Sequence, residues 1–230
     1  MSAELTVIYY TANLINDRFA QNVRRELSRA IGELPLISLS KKPINFGQNI
    51  VDELPERSIT NVYKALLNGA KTAKTKYIAL AEDDTLYPDE HFQAYLPGKD
   101  TFAYNMTRWN IYTWSKPPFF SLQPRRILAS LIAPRELFIE AIEERFAKHP
   151  QRIPEKWMGE PGRGKYEGRL GVTMRNSEEF FTYNPLVVFS HPESMGYQTT
   201  GPRKRAGKIR ATAIPYWGTS EHVRAMYGDV

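Results

Sequence analysis

Residues 5–10, LTVIYY, form an unbroken β-branched and aromatic run, and the polar stretch Thr11, Ala12, Asn13 ends it. That pattern predicts a buried strand feeding a loop. Behind it Ile15, Phe19, Val23, Leu27 and Ile31 recur every four residues among Arg, Glu and Asn, and Gly32 follows. This is an amphipathic helix with a C-terminal glycine cap. Pro35–Ser40 is a second apolar run, and KKPINFGQN, with its Pro and Gly, reads as a loop. Ile59, Val62, Tyr63, Leu66, Ala70 and Ala73 trace one helical face, with Ser58 placed to cap it. A third apolar run, Lys76–Ala81, stops abruptly at Glu82, Asp83 and Asp84, after which Tyr87-Pro88-Asp89-Glu90 opens a helix. Strands alternating with helices predict an α/β fold. Its sheet should be mostly parallel and covered by helices on both faces, with ligands outside the carboxyl ends of its strands. The acidic trio sits at such an end.

The remainder is less periodic. From Phe102 to Phe120 seven of nineteen residues are aromatic and Pro117-Pro118 breaks the run, which predicts short strands and a loop. Leu137, Phe138, Ala141, Ile142 and Phe146 give a further amphipathic helix started by Pro134. Residues 150–170 are rich in Gly, Pro and charge, and Leu186–Phe189 is a strand ending in Ser190-His191-Pro192. His91, in the helix expected after Pro88, and His149 and His222, which read as surface residues, are given no chemistry. No internal repeat appears, so residues 1–230 are expected to form one domain.

Composition narrows the chemistry. The chain has no cysteine, which excludes disulfides, thiolate zinc sites and cysteine nucleophiles and fits a reducing compartment. No apolar run is long enough to span a membrane, and the N-terminus lacks the features of a signal peptide. A soluble cytoplasmic protein is expected. The net charge of +6 is mild, but Arg203, Lys204, Arg205, Lys208 and Arg210 crowd into residues 201–210, which contain no acid.

Three acids directly after a buried strand repel one another unless water or a cation screens them. Oxygen ligands of this kind suit Mg²⁺ or Mn²⁺, which complete their shell with substrate phosphate and water. A solvated turn with helix-capping acids at Asp84 and Asp89 is the competing reading.

The order of Arg57-Ser58-Ile59-Thr60-Asn61, Ala70, Tyr77 to Asp84 and Pro88 resembles the GT-A glycosyltransferases, nearest to their large family-two-like group. The resemblance covers about residues 5–100. It implies a GT-A-like fold whose first half, about residues 1–100, binds a nucleotide-diphospho-sugar, and whose second half, about 101–230, binds the acceptor. Glu82 and Asp84 are then the outer acids of an Asp-x-Asp-like motif holding Mn²⁺ or Mg²⁺, with Glu in place of the first Asp. His191 completes the metal shell. Thr11, Asn13, Arg57 and Asn61 lie beside the nucleotide, and Arg203, Lys204 and Arg205 fold over the diphosphate, where cations stabilise a departing anion. Glu160, in Trp157-Met158-Gly159-Glu160-Pro161-Gly162, stands where the family carries a late acidic motif, although Glu-Pro replaces the usual Glu-Asp. It is the expected base for an inverting transfer, with Glu167 in reserve. Trp109, Trp114 and Trp157 are candidate stacking surfaces for the acceptor.

The acceptor implied is a hydroxyl, and a hydroxymethylated DNA base, as in phage-type DNA-modifying glycosyltransferases, suits the basic segment and the aromatics. Two other classes remain open. A nucleic-acid-binding protein or metal-dependent nuclease would use the same acids and basic residues. A nucleotidyltransferase would share the fold, but wants a Gly-rich basic loop after the first strand that Thr11–Asn16 lacks.

Overall fold

The computed structural model describes residues 4–52, 58–154, 157, 159–194 and 206–228. In chain order these form β1 (Leu5–Tyr10), α1 (Asp17–Ile31), β2 (Leu36–Ser40), β3 (Gln48–Val51), α2 (Ile59–Thr72), β4 (Tyr77–Glu82) and β5 (Thr85–Leu86). Then come α3 (Glu90–Gln93), β6 (Thr101–Asn105), β7 (Arg108–Tyr112), β8 (Phe120–Leu122), β9 (Leu131–Pro134), α4 (Arg135–Lys148) and α5 (Gly164–Leu170). The chain closes with β10 (Asn176–Phe180), β11 (Leu186–Ser190), β12 (Arg210–Ala211), the hairpin β13 (Ala213–Ile214) and β14 (Gly218–Thr219), and α6 (Ser220–Ala225).

The main sheet has the order β10-β6-β9-β4-β1-β2-β3. β1 pairs in parallel with β2 and β4, as do β2 with β3 and β6 with β10, while β9 runs antiparallel between β4 and β6. The sheet is therefore mixed and mostly parallel. Because side chains alternate along a strand, Val7 and Tyr9 of β1 join Phe19, Val23 and Leu27 of α1 in one core. Ile8 turns to the other face, with Tyr63 and Leu66 of α2 and Phe138 and Ile142 of α4. Gly69 lets α2 come close, since a Cβ there would stand 3.0 Å from Ile8 and 3.1 Å from Leu39.

Local signals set the helix ends, at Gly32 and Ser58 as the sequence predicts and at Asn16 without such a prediction. Asn16 accepts from the Phe19 amide at the start of α1, Gly32 (φ 54°) closes it, and Ser58 accepts from the Asn61 amide at the start of α2. The sequence does not predict β5, β9, β12, β13, β14 or α6, and further elements depart from expectation. The loop expected over KKPINFGQN runs into β3, a short strand on the sheet edge. The helix after Pro88 is a single turn, and β10 and α5 carry too weak a hydrophobic period to be seen from sequence. Among the described residues no helix is long and apolar enough to cross a membrane.

A second sheet, β12-β8-β7-β11-β5, leans against the first. β5 follows β4 after the two-residue turn Asp83-Asp84 and pairs antiparallel with β11, placing Thr85 opposite Val188. The Phe189 amide donates to the Asp84 carbonyl at 2.8 Å. This crossing brings the acidic turn at the end of β4 against the end of β11, where His191 stands.

His91 lies at the packed edge of this core, fully buried beside Tyr87, Phe92 and Phe180, with Asn105 Nδ2 donating to its Nδ1 at 3.2 Å. Burial pushes its pKa from 6.5 down to about 3. The folded state thus binds fewer protons than the unfolded chain below pH 6.5, and stability falls as the pH drops through that window toward 3. At pH 5 the loss is about 2 kcal/mol, or about 4–8 °C in Tm for a chain of this size. His91→Leu is expected to flatten that acid limb in thermal melts from pH 7 to 5. A parallel decline in the variant would contradict the assignment.

Candidate active site

The carboxyl ends of β1, β2 and β4 open into a cleft of about 450 Å³ that continues onto β7 and β11 of the second sheet and to Gln123 and Arg125 just beyond β8. Its lining includes Thr11, Asn61, Glu82, Asp84, Glu160 and His191 among the residues singled out from sequence.

The acidic turn is tied down on both sides. Tyr10 donates its hydroxyl to Glu82 and Thr11 donates to Asp83, while the Glu82 amide donates to the Tyr87 hydroxyl at 3.0 Å. Desolvation, then the charge of Asp84, push the Glu82 carboxyl up to about 8, partly opposed by the Tyr10 hydrogen bond. Asp84 is turned elsewhere, its Oδ2 lying 3.3 Å from His191 Nε2. On the far side of the ring, His191 Nδ1 meets Glu193 Oε2 at 2.9 Å, and Tyr227 donates to that same oxygen at 2.9 Å. Phe19 and Tyr227 pack edgewise and tilted on the imidazole. Burial opposes the imidazolium, but the hydrogen bond and charge of Asp84 outweigh it and raise the His191 pKa.

A carboxylate behind a histidine fixes its tautomer and aims the other nitrogen. Here Glu193 holds Nδ1 and Nε2 is aimed at Asp84. Asp84 and His191 therefore fit a divalent ion that keeps its other positions for phosphate and water. Among the described residues no group of three or more such side chains converges, and Glu82 is engaged by Tyr10 rather than by this pair.

Opposite the acids lies Glu160, on a loop clamped by buried polar groups. Tyr63 and Arg145 both donate to the Gly159 carbonyl, at 3.1 and 2.8 Å, and Tyr104 donates to the Pro161 carbonyl at 2.6 Å. The Gly162 amide donates to Glu167 at 2.8 Å, and Gly162 has φ 74°, a conformation open to glycine at little cost. Arg163 Nη1 donates to the Glu160 carboxylate at 2.7 Å. The clamp leaves Glu160 as the carboxylate this loop presents to the cleft.

Several expected site residues stand elsewhere. Glu167 does not line the cleft. It is fully buried, accepts from the Gly162 and Arg175 amides and lies 3.9 Å from Arg145, so it holds the loop instead of facing substrate. Asn13 (φ 54°) accepts from the Lys41 and Lys42 amides and binds two loops together. None of the three tryptophans lines the cleft. Trp109 packs on the core, Trp157 against the Ile153, Leu170, Val172 cluster, and Trp114 is exposed beside Tyr112. Arg57, Arg203, Lys204 and Arg205 lie outside the described residues. The described end of the basic segment rests on β8, where the Gly207 amide donates to Ser121 Oγ at 2.7 Å and Arg210 stacks on Phe119.

Sequence reasoning missed Glu193, whose only signal is its place two residues after His191. It also missed Arg108 and Asn110, polar residues two apart on a strand and therefore on one face. Arg145 hid within an amphipathic helix as an ordinary surface cation.

No protein-family profile matches the chain, and no curated protein matches it. Solved structures with a similar course include a glycosyltransferase involved in the glycosylation of the major capsid of PBCV-1, at 9% identity over 80% of this chain and 91% of that one, TM-score 0.48. The bifunctional IspDF from Campylobacter jejuni is similar at 10% identity over 78% of this chain, TM-score 0.44. S. aureus TarS 1–349 in complex with UDP-GlcNAc is similar at 10% identity over 84% of this chain and 60% of that one, TM-score 0.42. This chain spans 50% of the IspDF chain.

Proposed function

We propose that this protein is a metal-dependent, inverting glycosyltransferase that moves a sugar from a nucleotide-diphospho-sugar to a hydroxyl acceptor. The observation that carries the reading is the Asp84–His191 pair, backed by Glu193, at the carboxyl end of β4, with the carboxylate of Glu160 presented to the same cleft. Ligands in open α/β sheets bind outside such strand ends.

In this reading Thr11 and Asn61, at the ends of β1 and the start of α2, flank the nucleotide. Asp84 and His191 would hold Mn²⁺ or Mg²⁺, and such an ion would supply charge neutralisation for the diphosphate. The acceptor oxygen bonds to the anomeric carbon as the bond from that carbon to the diphosphate oxygen breaks, and the diphosphate leaves with the electron pair. Glu160 takes the acceptor's proton. Arg163 orients its carboxylate, and the backbone clamp on residues 159–162 keeps it in place without reorganisation. The nuclease reading would use the same acids and has no separate observation behind it. Of the described basic residues in the segment near the C-terminus, Arg210 is stacked on Phe119.

The test is release of nucleoside diphosphate from a panel of UDP-, GDP- and CDP-sugars, with Mn²⁺ and with chelator, using water or simple glycosides as acceptors. Slow, metal-dependent release from one nucleotide's sugars is expected. No release from any of them, with Mn²⁺ present, would contradict the reading.

A further inference from the structure

Arg108 on β7 lines the cleft and is 5% exposed, yet its Nε has no hydrogen-bond partner among the described residues. Glu82 and Asp84 act on it through space, but neither makes an ion-pair contact with it. A second cation, Arg125, lines the same wall beyond β8, and its charge repels that of Arg108. A buried guanidinium without a carboxylate is costly, and a second one facing it adds to the cost. Asn110 follows Arg108 by two residues on β7, so it shares that face, and its Oδ1 is buried and also without a partner. It lines the cleft as well. The wall therefore offers two cations and an oxygen seeking a donor.

We infer that this β7–β8 wall, with Arg108, Arg125 and Asn110, is a binding subsite for an anionic sugar, the two arginines taking a carboxylate or phosphate and Asn110 accepting from a hydroxyl. The inference rests on the proposed donor reading for which sugar sits there, either the one transferred or the one that accepts. Arg is the side chain suited to such planar, two-pronged recognition of carboxylate and phosphate.

Calorimetry with Mn²⁺ separates the sources. In the first arm UDP, UDP-glucose and UDP-glucuronate are titrated into the protein. In the second, glucose and glucose 6-phosphate are titrated into protein saturated with UDP. One anionic sugar should bind about 10–100-fold more tightly than its neutral counterpart. A preference in the first arm assigns the anion to the donor, and one in the second assigns it to the acceptor. The exposed Arg125→Gln, which leaves the core untouched, should bring that ratio close to one while UDP affinity holds. Equal binding of charged and neutral sugars in both arms overturns the inference, as does an Arg125→Gln loss that falls equally on UDP itself. If UDP does not bind at all, the donor reading is what fails for this nucleotide. Glucose 6-phosphate and glucuronate are then titrated into the free protein. Binding lost in Arg125→Gln still establishes the subsite, and no binding removes it.

Discussion

Replacing Glu160 by Gln is expected to slow sugar transfer by about 10²–10⁴-fold while leaving the affinity for the nucleotide-sugar unchanged. The amide keeps the shape of the side chain and loses only its ability to take a proton. Arg163 loses a charged partner, but the pair is partly solvated, with side chains 38% and 19% exposed, and such pairs contribute little to stability. The loop should stay where it is, because its position depends on Tyr63, Tyr104 and Arg145 gripping backbone carbonyls and not on the Glu160 side chain. The expected signature is thus a fall in kcat with KM held. An unchanged rate would remove Glu160 from the chemistry.

Arg145→Met is expected to lower stability by about 3–5 kcal/mol, since removing one partner of a buried pair leaves the other charge uncompensated. Arg145 and Glu167 are both fully buried, 3.9 Å apart. The substitution also deletes the hydrogen bond to the Gly159 carbonyl and the contact of the guanidinium with the Tyr63 ring, 5.4 Å from its centroid. For a chain of this length the melting temperature should fall by about 6–20 °C. Adding Glu167→Gln should restore part of the loss, because the stranded charge goes with it and the two effects do not add. A double variant whose loss equals the sum of the two single losses would show that Glu167 acts through its bonds to the Gly162 and Arg175 amides alone.

Much of the first half of the fold is legible from residue order because each element there is fixed locally. β1 and β4 are continuous apolar runs, α1 and α2 have four-residue periods, and Gly32 and Ser58 are caps whose chemistry is visible one residue at a time. β3 and β10 escape notice since edge strands need few apolar residues. Their bonds come from a neighbour that the sequence does not name. The same divide runs through the site. Asp84 and His191 are conspicuous, each at the end of an apolar run, but their meeting depends on β5 crossing to pair with β11, a long-range event. Glu167 and Asn13 look equally functional in sequence. Only packing shows that each satisfies backbone amides instead. The tryptophans stand off the cleft for a related reason: Trp109 and Trp157 pack against apolar clusters, and nothing in sequence spacing separates that use from stacking on a ligand.

The central claim is that Asp84, oriented against His191, holds a divalent ion which in turn holds a nucleotide diphosphate. It is tested most directly by titrating UDP, GDP and CDP into the protein with Mn²⁺ or with chelator, and repeating the series on Asp84→Asn. The account predicts that one nucleotide binds, that chelator weakens it, and that Asp84→Asn weakens Mn²⁺-supported binding by about 10–100-fold, the usual effect of disturbing a metal site. Metal-independent binding that is the same in wild type and Asp84→Asn would contradict it.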